Sequence, residues 1–185
     1  MPQGMLKAKG SVPESSMGSK DVVEFYSQME SLGIKVWIDG GWCVDALLGK
    51  QLRPHEDLDI AIQWQDVPRL RETLAAQGYN QIKEDSQWNF VLADDKKRKI
   101  DVHAFVFDGK GKVIEGIMYP AESLLGLGTI DNHTVRCISP EYMVEFLAPW
   151  IYKWSEKYLP AVSALCQKYK LELPKEYKDW QVLHQ

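Results

Sequence analysis

Cysteine is scarce, with only Cys43, Cys137 and Cys166 and no CxxC spacing among them. An odd, unpatterned set argues against a disulfide scaffold or a zinc ribbon and fits a reducing cytoplasm. Basic charge is also short: 22 Lys and Arg stand against 26 Asp and Glu, for a formal net charge of −4. That balance argues against a protein that coats nucleic-acid phosphates. A small nucleotide stays open, because a metal ion can meet its phosphates. No apolar run approaches the ~18 residues of a membrane span. The amino terminus has no apolar h-region, so no secretory signal is expected. No internal repeat is found. What is present is a chain of 185 residues, long enough for about one domain with a real core.

Residues 1–20 are rich in Gly, Ser, Pro and Lys without apolar period, and read as a disordered tail with a second start at Met17. From Asp21, apolar residues at helical spacing predict a helix closed by Gly33. Ile34 to Ile38 is β-rich. Gly40-Gly41 interrupts, and Trp42 to Leu48 suits a helix ended by Gly49. Asp57 to Ile62 alternates strictly and predicts a strand. A helix over Val67 to Gln77 follows, then strands over Tyr79–Lys83, Trp88–Ala93 and Lys99–Phe107, the last two as a hairpin. Residues 108–133 read as irregular, with a weak element near Ser123–Leu127. A strand over Thr134–Ile138 precedes helices over Tyr142–Lys157, broken near Pro149, and Pro160–Tyr169. The order predicts an α+β fold. Its parts would be a domain over 21–138 and a small helical carboxy-terminal region over 139–185.

The chemistry concentrates in a few residues. Alternation puts Asp57 and Asp59 on one face of their strand and Leu58, Ile60 and Ile62 on the other. The carboxylates then stand roughly 7 Å apart along the strand. Paired acids at that distance suit a hard divalent cation, and magnesium takes one or two carboxylates plus substrate phosphates. Asp101 alternates with Ile100 and Val102. If its strand lies beside the Asp57 strand, Asp101 completes a three-carboxylate cluster able to hold two metals. Gly40-Gly41, between a strand and a helix, lets a phosphate chain approach backbone N–H groups at a helix amino terminus. Each feature alone has an ordinary structural explanation; their conjunction is much rarer.

The run Trp37-Ile38-Asp39-Gly40-Gly41-Trp42, then Val44 to Lys50, Arg53, His55 and Asp57-Leu58-Asp59-Ile60, resembles the DNA polymerase beta type nucleotidyltransferase superfamily. More narrowly it is similar to the small antibiotic nucleotidyltransferases that modify lincosamides and aminoglycosides. Ile100-Asp101-Val102-His103 is similar to the third-aspartate strand. The resemblance implies a mixed sheet flanked by helices. It implies two Mg2+ ions, with ATP or another nucleoside triphosphate as co-substrate. It implies transfer of a nucleoside monophosphate to a hydroxyl of a small molecule, with pyrophosphate leaving. By position, Asp57 and Asp59 would bind metal, and Asp101 would be a third metal ligand or the general base. Gly40 and Gly41 would seat the triphosphate, with Arg53 and His55 also in the nucleotide site. The resemblance also admits a homodimer that completes the cleft.

Acceptor-side candidates are Trp88, His103, Glu145, Phe146 and Trp150. An aminoglycoside wants acids, and Glu141 and Glu145 are the nearest. A lincosamide wants apolar surface, which Phe146, Trp150 and Trp154 supply. Asp39, one residue before the glycine pair, fits turn chemistry or an approach to the acceptor, and Asp45 reads as a helix-dipole residue. The run Asp94 to Lys99 reads as a solvated turn. Three other readings stay open: a nucleotidyltransferase acting on a macromolecule such as a partner protein or tRNA, a degenerate nucleotide-binding module, and a metal-dependent hydrolase.

Overall fold

The computed structural model describes residues 17–184. Most of the expected tail, residues 1–16, lies outside them. Residues 17–20 are part of the fold. Met17 is buried, and its N–H donates to the His55 carbonyl at 3.1 Å.

Helix α1 (Ser19–Ser31) begins two residues earlier than the Asp21 start, because Asp21 reaches back to accept the Gly18 N–H at 3.0 Å. It buries Val22, Phe25, Tyr26 and Met29, one stripe at helical spacing. Strand β1 (Val36–Ile38) leads into α2 (Gly40–Leu48), and then come β2 (Asp57–Gln63) and α3 (Val67–Ala75). Strands β3 (Asn80–Ser86), β4 (Asn89–Ala93), β5 (Lys99–Phe107), β6 (Val113–Gly116), β7 (Gly126–Ile130) and β8 (His133–Cys137) follow. Helices α4 (Pro140–Leu147), α5 (Ser155–Tyr169) and α6 (Lys175–Leu183) complete the described chain.

The strands form one sheet in the order β3-β4-β5-β2-β1-β8-β7, with β6 pairing on β5. β2 with β5 and β1 with β8 run parallel; the other pairs are antiparallel. The sheet is therefore mixed and flanked by helices, as expected. The β4–β5 hairpin is present, closing from Ala93↔Lys99.

Two expectations fail. The 108–133 stretch holds β6 and β7 as well as a 3-10 turn over Ala121–Leu125. β7 carries Gly126 and Gly128, which read as breakers. A Cβ on Gly128 would stand 2.6 Å from the Ala46 carbonyl carbon, so this glycine lets α2 rest directly on the strand. Helix α6 has no counterpart in the reading of the sequence. Its buried Tyr177 ties it inward, the hydroxyl donating to the Tyr158 carbonyl at 3.1 Å. The break near Pro149 is a 3-10 turn, Ala148–Tyr152, while α5 runs through Pro160. Near the end of α5, Lys168 Nζ and the Tyr169 hydroxyl both donate to the Leu47 carbonyl at 2.8 Å. They satisfy carbonyl acceptors that the end of α2 leaves free.

The Asp94–Lys99 run is not simply a solvated turn. Asp94 is buried, and Arg98 bonds it through Nε at 2.7 Å while reaching Asp21 of α1 at 2.9 Å. Hydrogen bonds to these two carboxylates raise the Arg98 pKa. Arg98→Ala is therefore expected to lower unfolding stability by ~1–3 kcal/mol, since it strips a buried acceptor of its partner. Urea unfolding followed by circular dichroism measures it. An unchanged midpoint would place the pair outside the stabilising contacts.

Candidate active site

β2 alternates as its sequence requires. Leu58, Ile60 and Ile62 are fully buried, while Asp57 and Asp59 are half-buried on the opposite face. β5 lies beside β2 in a register that pairs Asp59 with Asp101 and Ala61 with His103. Two carboxylates on adjacent parallel strands, flanked by a histidine, therefore open onto one cleft.

The glycine pair is shaped by what packs on it. Gly40 opens α2 with φ +58°, and a Cβ there would fall 2.1 Å from Asp59 Oδ2. The Asp59 carboxylate uses the space that any other residue would fill. A Cβ on Gly41 would fall 2.4 Å from His55 Nδ1 and 3.1 Å from an Arg53 guanidinium nitrogen. His55 is itself buried, with its Nε2 2.5 Å from Asp45 Oδ2 and its ring 4.8 Å from that of Trp42. Asp45 also accepts the Leu52 N–H at 3.0 Å. His55 and Asp45 thus form a brace under the glycine pair, although His55 also borders the cleft.

The cleft has a volume of about 660 Å³. Gly40, Gly41, Arg53, His55, Asp57, Asp59, Asp101, His103, Phe146 and Trp150, all singled out from the sequence, line it. Two others do not reach it. Trp88 packs on Trp64, with ring centroids 4.6 Å apart, and Glu145 is exposed on α4 away from the lining. Trp150 stacks on Trp154 at 5.2 Å.

Donor atoms of Asp59, Asp101 and His103 lie within 4.8 Å of one another. That grouping differs from the expected three aspartates: Asp57 shares the cleft, but His103 takes the third place in the tightest cluster. Burial and the charge of Asp57 push the Asp59 carboxyl up to about 7. Burial raises Asp57 too, with Asp101 and Glu56 opposing the help of Lys157 and Lys99. A crowded acidic group of hard oxygen donors is the chemistry a divalent cation fits.

Three further residues, Asp39, Tyr119 and Asn89, brace the site. Asp39 caps α2, accepting the Gly40 N–H at 2.7 Å and the Tyr119 hydroxyl at 2.7 Å. Burial works against its charge, yet His103, Tyr119 and the Gly40 N–H hold its carboxyl below the usual value. Tyr119 also stands 3.1 Å from His103 Nδ1. Asn89 donates to Asp101 Oδ1 at 2.8 Å. Burial would lower His103, but hydrogen bonds to Asp101 and Asp39 and the surrounding negative charge push it up to about 10. Asp39 stood next to the glycine pair and was legible as a neighbour. Tyr119 and Asn89 had no local signal.

Comparison with known proteins agrees with this architecture. The family model Aminoglycoside-2''-adenylyltransferase matches residues 21–157. A lincosamide resistance protein of Staphylococcus haemolyticus is 27% identical over 104 residues, 55% of this chain and 63% of that protein. The match thus spans less than two thirds of that relative's length. The crystal structure of the lincosamide antibiotic adenylyltransferase LnuA, lincomycin-bound, superposes with a TM-score of 0.72 at 22% identity, over 82% of this chain and 98% of that one. ANT(2'')-Ia in complex with adenylyl-2''-tobramycin gives 0.70 at 20% identity, over 82% and 88%. At these identities the two structures establish a shared fold. Among the described residues, no helix is long and apolar enough to cross a membrane.

The brace generates a stability prediction. His55→Ala leaves the Asp45 carboxylate buried without its ring partner, a change that costs roughly 3–5 kcal/mol when a buried pair is broken. His55→Gln keeps a donor near Asp45 and is expected to lose less. Thermal unfolding of both variants measures the difference. Equal, near-zero losses would mean that His55 is not a brace.

Proposed function

We propose that this chain, which belongs to the aminoglycoside-2''-adenylyltransferase family, transfers a nucleoside monophosphate to a hydroxyl of an antibiotic. The donor is ATP, the transferred group AMP, and the leaving group pyrophosphate. One observation carries the reading: Asp59 and Asp101, paired in register with Asp57 close by, line one cleft together with the glycine-pair start of α2.

The triphosphate is assigned to the α2 amino terminus. There the helix dipole is positive, and Gly40 and Gly41 line the cleft. Arg53, Lys83 and Lys157 also line the cleft and offset phosphate charge. Asp57, Asp59 and Asp101 would hold magnesium, two ions in our assignment. Bound there, the metal would supply positive charge for the phosphates and would lower the pKa of the acceptor hydroxyl. Asp101 then takes the hydroxyl proton. The acceptor oxygen forms a bond to the α-phosphorus as the bond from that phosphorus to the pyrophosphate oxygen breaks. Asn89 fixes Asp101 Oδ1 for this step. Positioning and electrostatic stabilisation provide most of the rate.

The acceptor wall favours a lincosamide over an aminoglycoside. Ile117, Met118, Phe146, Trp150 and Trp154 give the cleft an apolar side. The four carboxylates that line the cleft are Asp39, Asp57, Asp59 and Asp101, so none is left over for a polycation. Glu145, which could have served one, stands elsewhere.

With ATP, magnesium and lincomycin, mass spectrometry should find an adduct of one AMP and an equal yield of pyrophosphate. Tobramycin is the comparison acceptor. Asp59→Asn and Asp101→Asn should each reduce turnover by about 10³-fold or more while circular dichroism stays unchanged. Chelation of the metal should stop turnover. Trp150→Ala should raise the KM for acceptor about tenfold with little change in the KM for ATP. Near-normal transfer by either aspartate variant would refute the assignment.

A further inference from the structure

We infer that His103 is itself a metal ligand, so that the centre at the β2–β5 junction is an Asp59–Asp101–His103 site that prefers a nitrogen-accepting divalent ion such as Mn2+ over Mg2+. This rests on the reading of Asp59 and Asp101 as metal-binding residues and goes beyond it.

Three observations carry the inference. First, the cluster closes without Asp57: one donor atom each from Asp59, Asp101 and His103 lies within 4.8 Å of the others. Two donors of one ion bound at about 2.1 Å can stand at most about 4.2 Å apart, so the group is already near the required span. Second, the two ring nitrogens of His103 face different partners. Nε2 points to the acidic side, 3.4 Å from Asp101 Oδ1, where a bound cation would take the place of its proton. Nδ1 points away from it, 3.1 Å from the Tyr119 hydroxyl and 3.4 Å from Asp39 Oδ2.

Third, the backing pair is built rather than incidental. Tyr119 and Asp39 are both buried, and the Tyr119 hydroxyl donates to Asp39 Oδ2 at 2.7 Å. A histidine that ligates a metal characteristically gives its other ring N–H to a carboxylate or similar acceptor, which fixes the tautomer and makes the free nitrogen a better donor. Asp39 and Tyr119 occupy that place. Asp39 is also anchored by the Gly40 N–H, so the orientation of the imidazole is coupled to the start of the phosphate helix. An imidazole in the donor set changes metal preference. Magnesium keeps to oxygen ligands and to its own waters, whereas divalent first-row transition ions accept imidazole nitrogen; Mn2+, the weakest binder among them, is the paramagnetic probe of that difference.

The test uses the full chain without nucleotide or antibiotic. Isothermal titration with Mn2+ and with Mg2+ gives the two affinities. Electron spin-echo modulation of the bound Mn2+ reports directly whether a ¹⁴N nucleus is coordinated. The wild type should show imidazole modulation and bind Mn2+ at least about tenfold more tightly than Mg2+. His103→Asn should abolish the modulation and weaken Mn2+ by about tenfold or more, with Mg2+ changed less than threefold. Tyr119→Phe, which keeps the ring, should keep the modulation and weaken Mn2+ several-fold. Normal Mn2+ binding without nitrogen modulation in the wild type would overturn the assignment of His103 while leaving the acidic site intact. Equal weakening of Mn2+ and Mg2+ by His103→Asn would do the same. Failure of the wild type to bind either ion would overturn the metal reading of Asp59 and Asp101 as well. A lack of antibiotic transfer would touch neither measurement.

Discussion

Asp59 and Asp101 stand side by side because β2 and β5 run parallel in a single register. Their backbones are held by ladder hydrogen bonds, and their neighbours Leu58, Ile60, Ile100 and Val102 are fully buried on the far side of the sheet. A slip of one residue would turn those apolar side chains toward the cleft and the acids into the core. The core therefore enforces a juxtaposition that the carboxylates would avoid on electrostatic grounds. Around that fixed repulsion the rest of the site arranges its compensation. Gly40 gives up its side chain to make room for Asp59, and His103 stands between Asp39 and Asp101.

The parts legible in the sequence were those in which one local pattern determines one local outcome. Strict alternation over Asp57–Ile62 specified both the strand and the face its acids share. Gly49, with φ +72° closing α2, was equally plain. What stayed hidden depends on contacts far along the chain. Tyr119 meets Asp39 across 80 positions, from a stretch that looked irregular. Strand β7 was obscured by Gly126 and Gly128, the residues that let other backbone approach it. Trp88 shows the opposite error: read as a strand residue near the site, it lies in the turn between β3 and β4, and Trp64 claims its ring. Glu145 sits on the expected helix, one residue before the cleft-lining Phe146. On a helix one residue is a rotation of about 100°, and that separates lining from exposure.

His55 illustrates how a motif position and its physical use can part. It resembles a nucleotide-site residue and borders the cleft, yet its Nε2 is committed to Asp45 and its face to Trp42. In this chain that motif position also scaffolds the glycine pair. The same holds for Asp39, whose two oxygens serve the α2 amino terminus, Tyr119 and His103.

The bonds from Lys168 and Tyr169 to the Leu47 carbonyl join the far end of α2 to the helix that follows the tryptophan shelf. The two walls of the cleft are thereby riveted at their rear. These hydrogen bonds oppose a separation of the two walls. The cleft's tolerance for a new guest is set by which side chains protrude from the shelf. Exchange of one ring at position 146, 150 or 154 would then re-tailor the recess while the acids keep their places on the sheet.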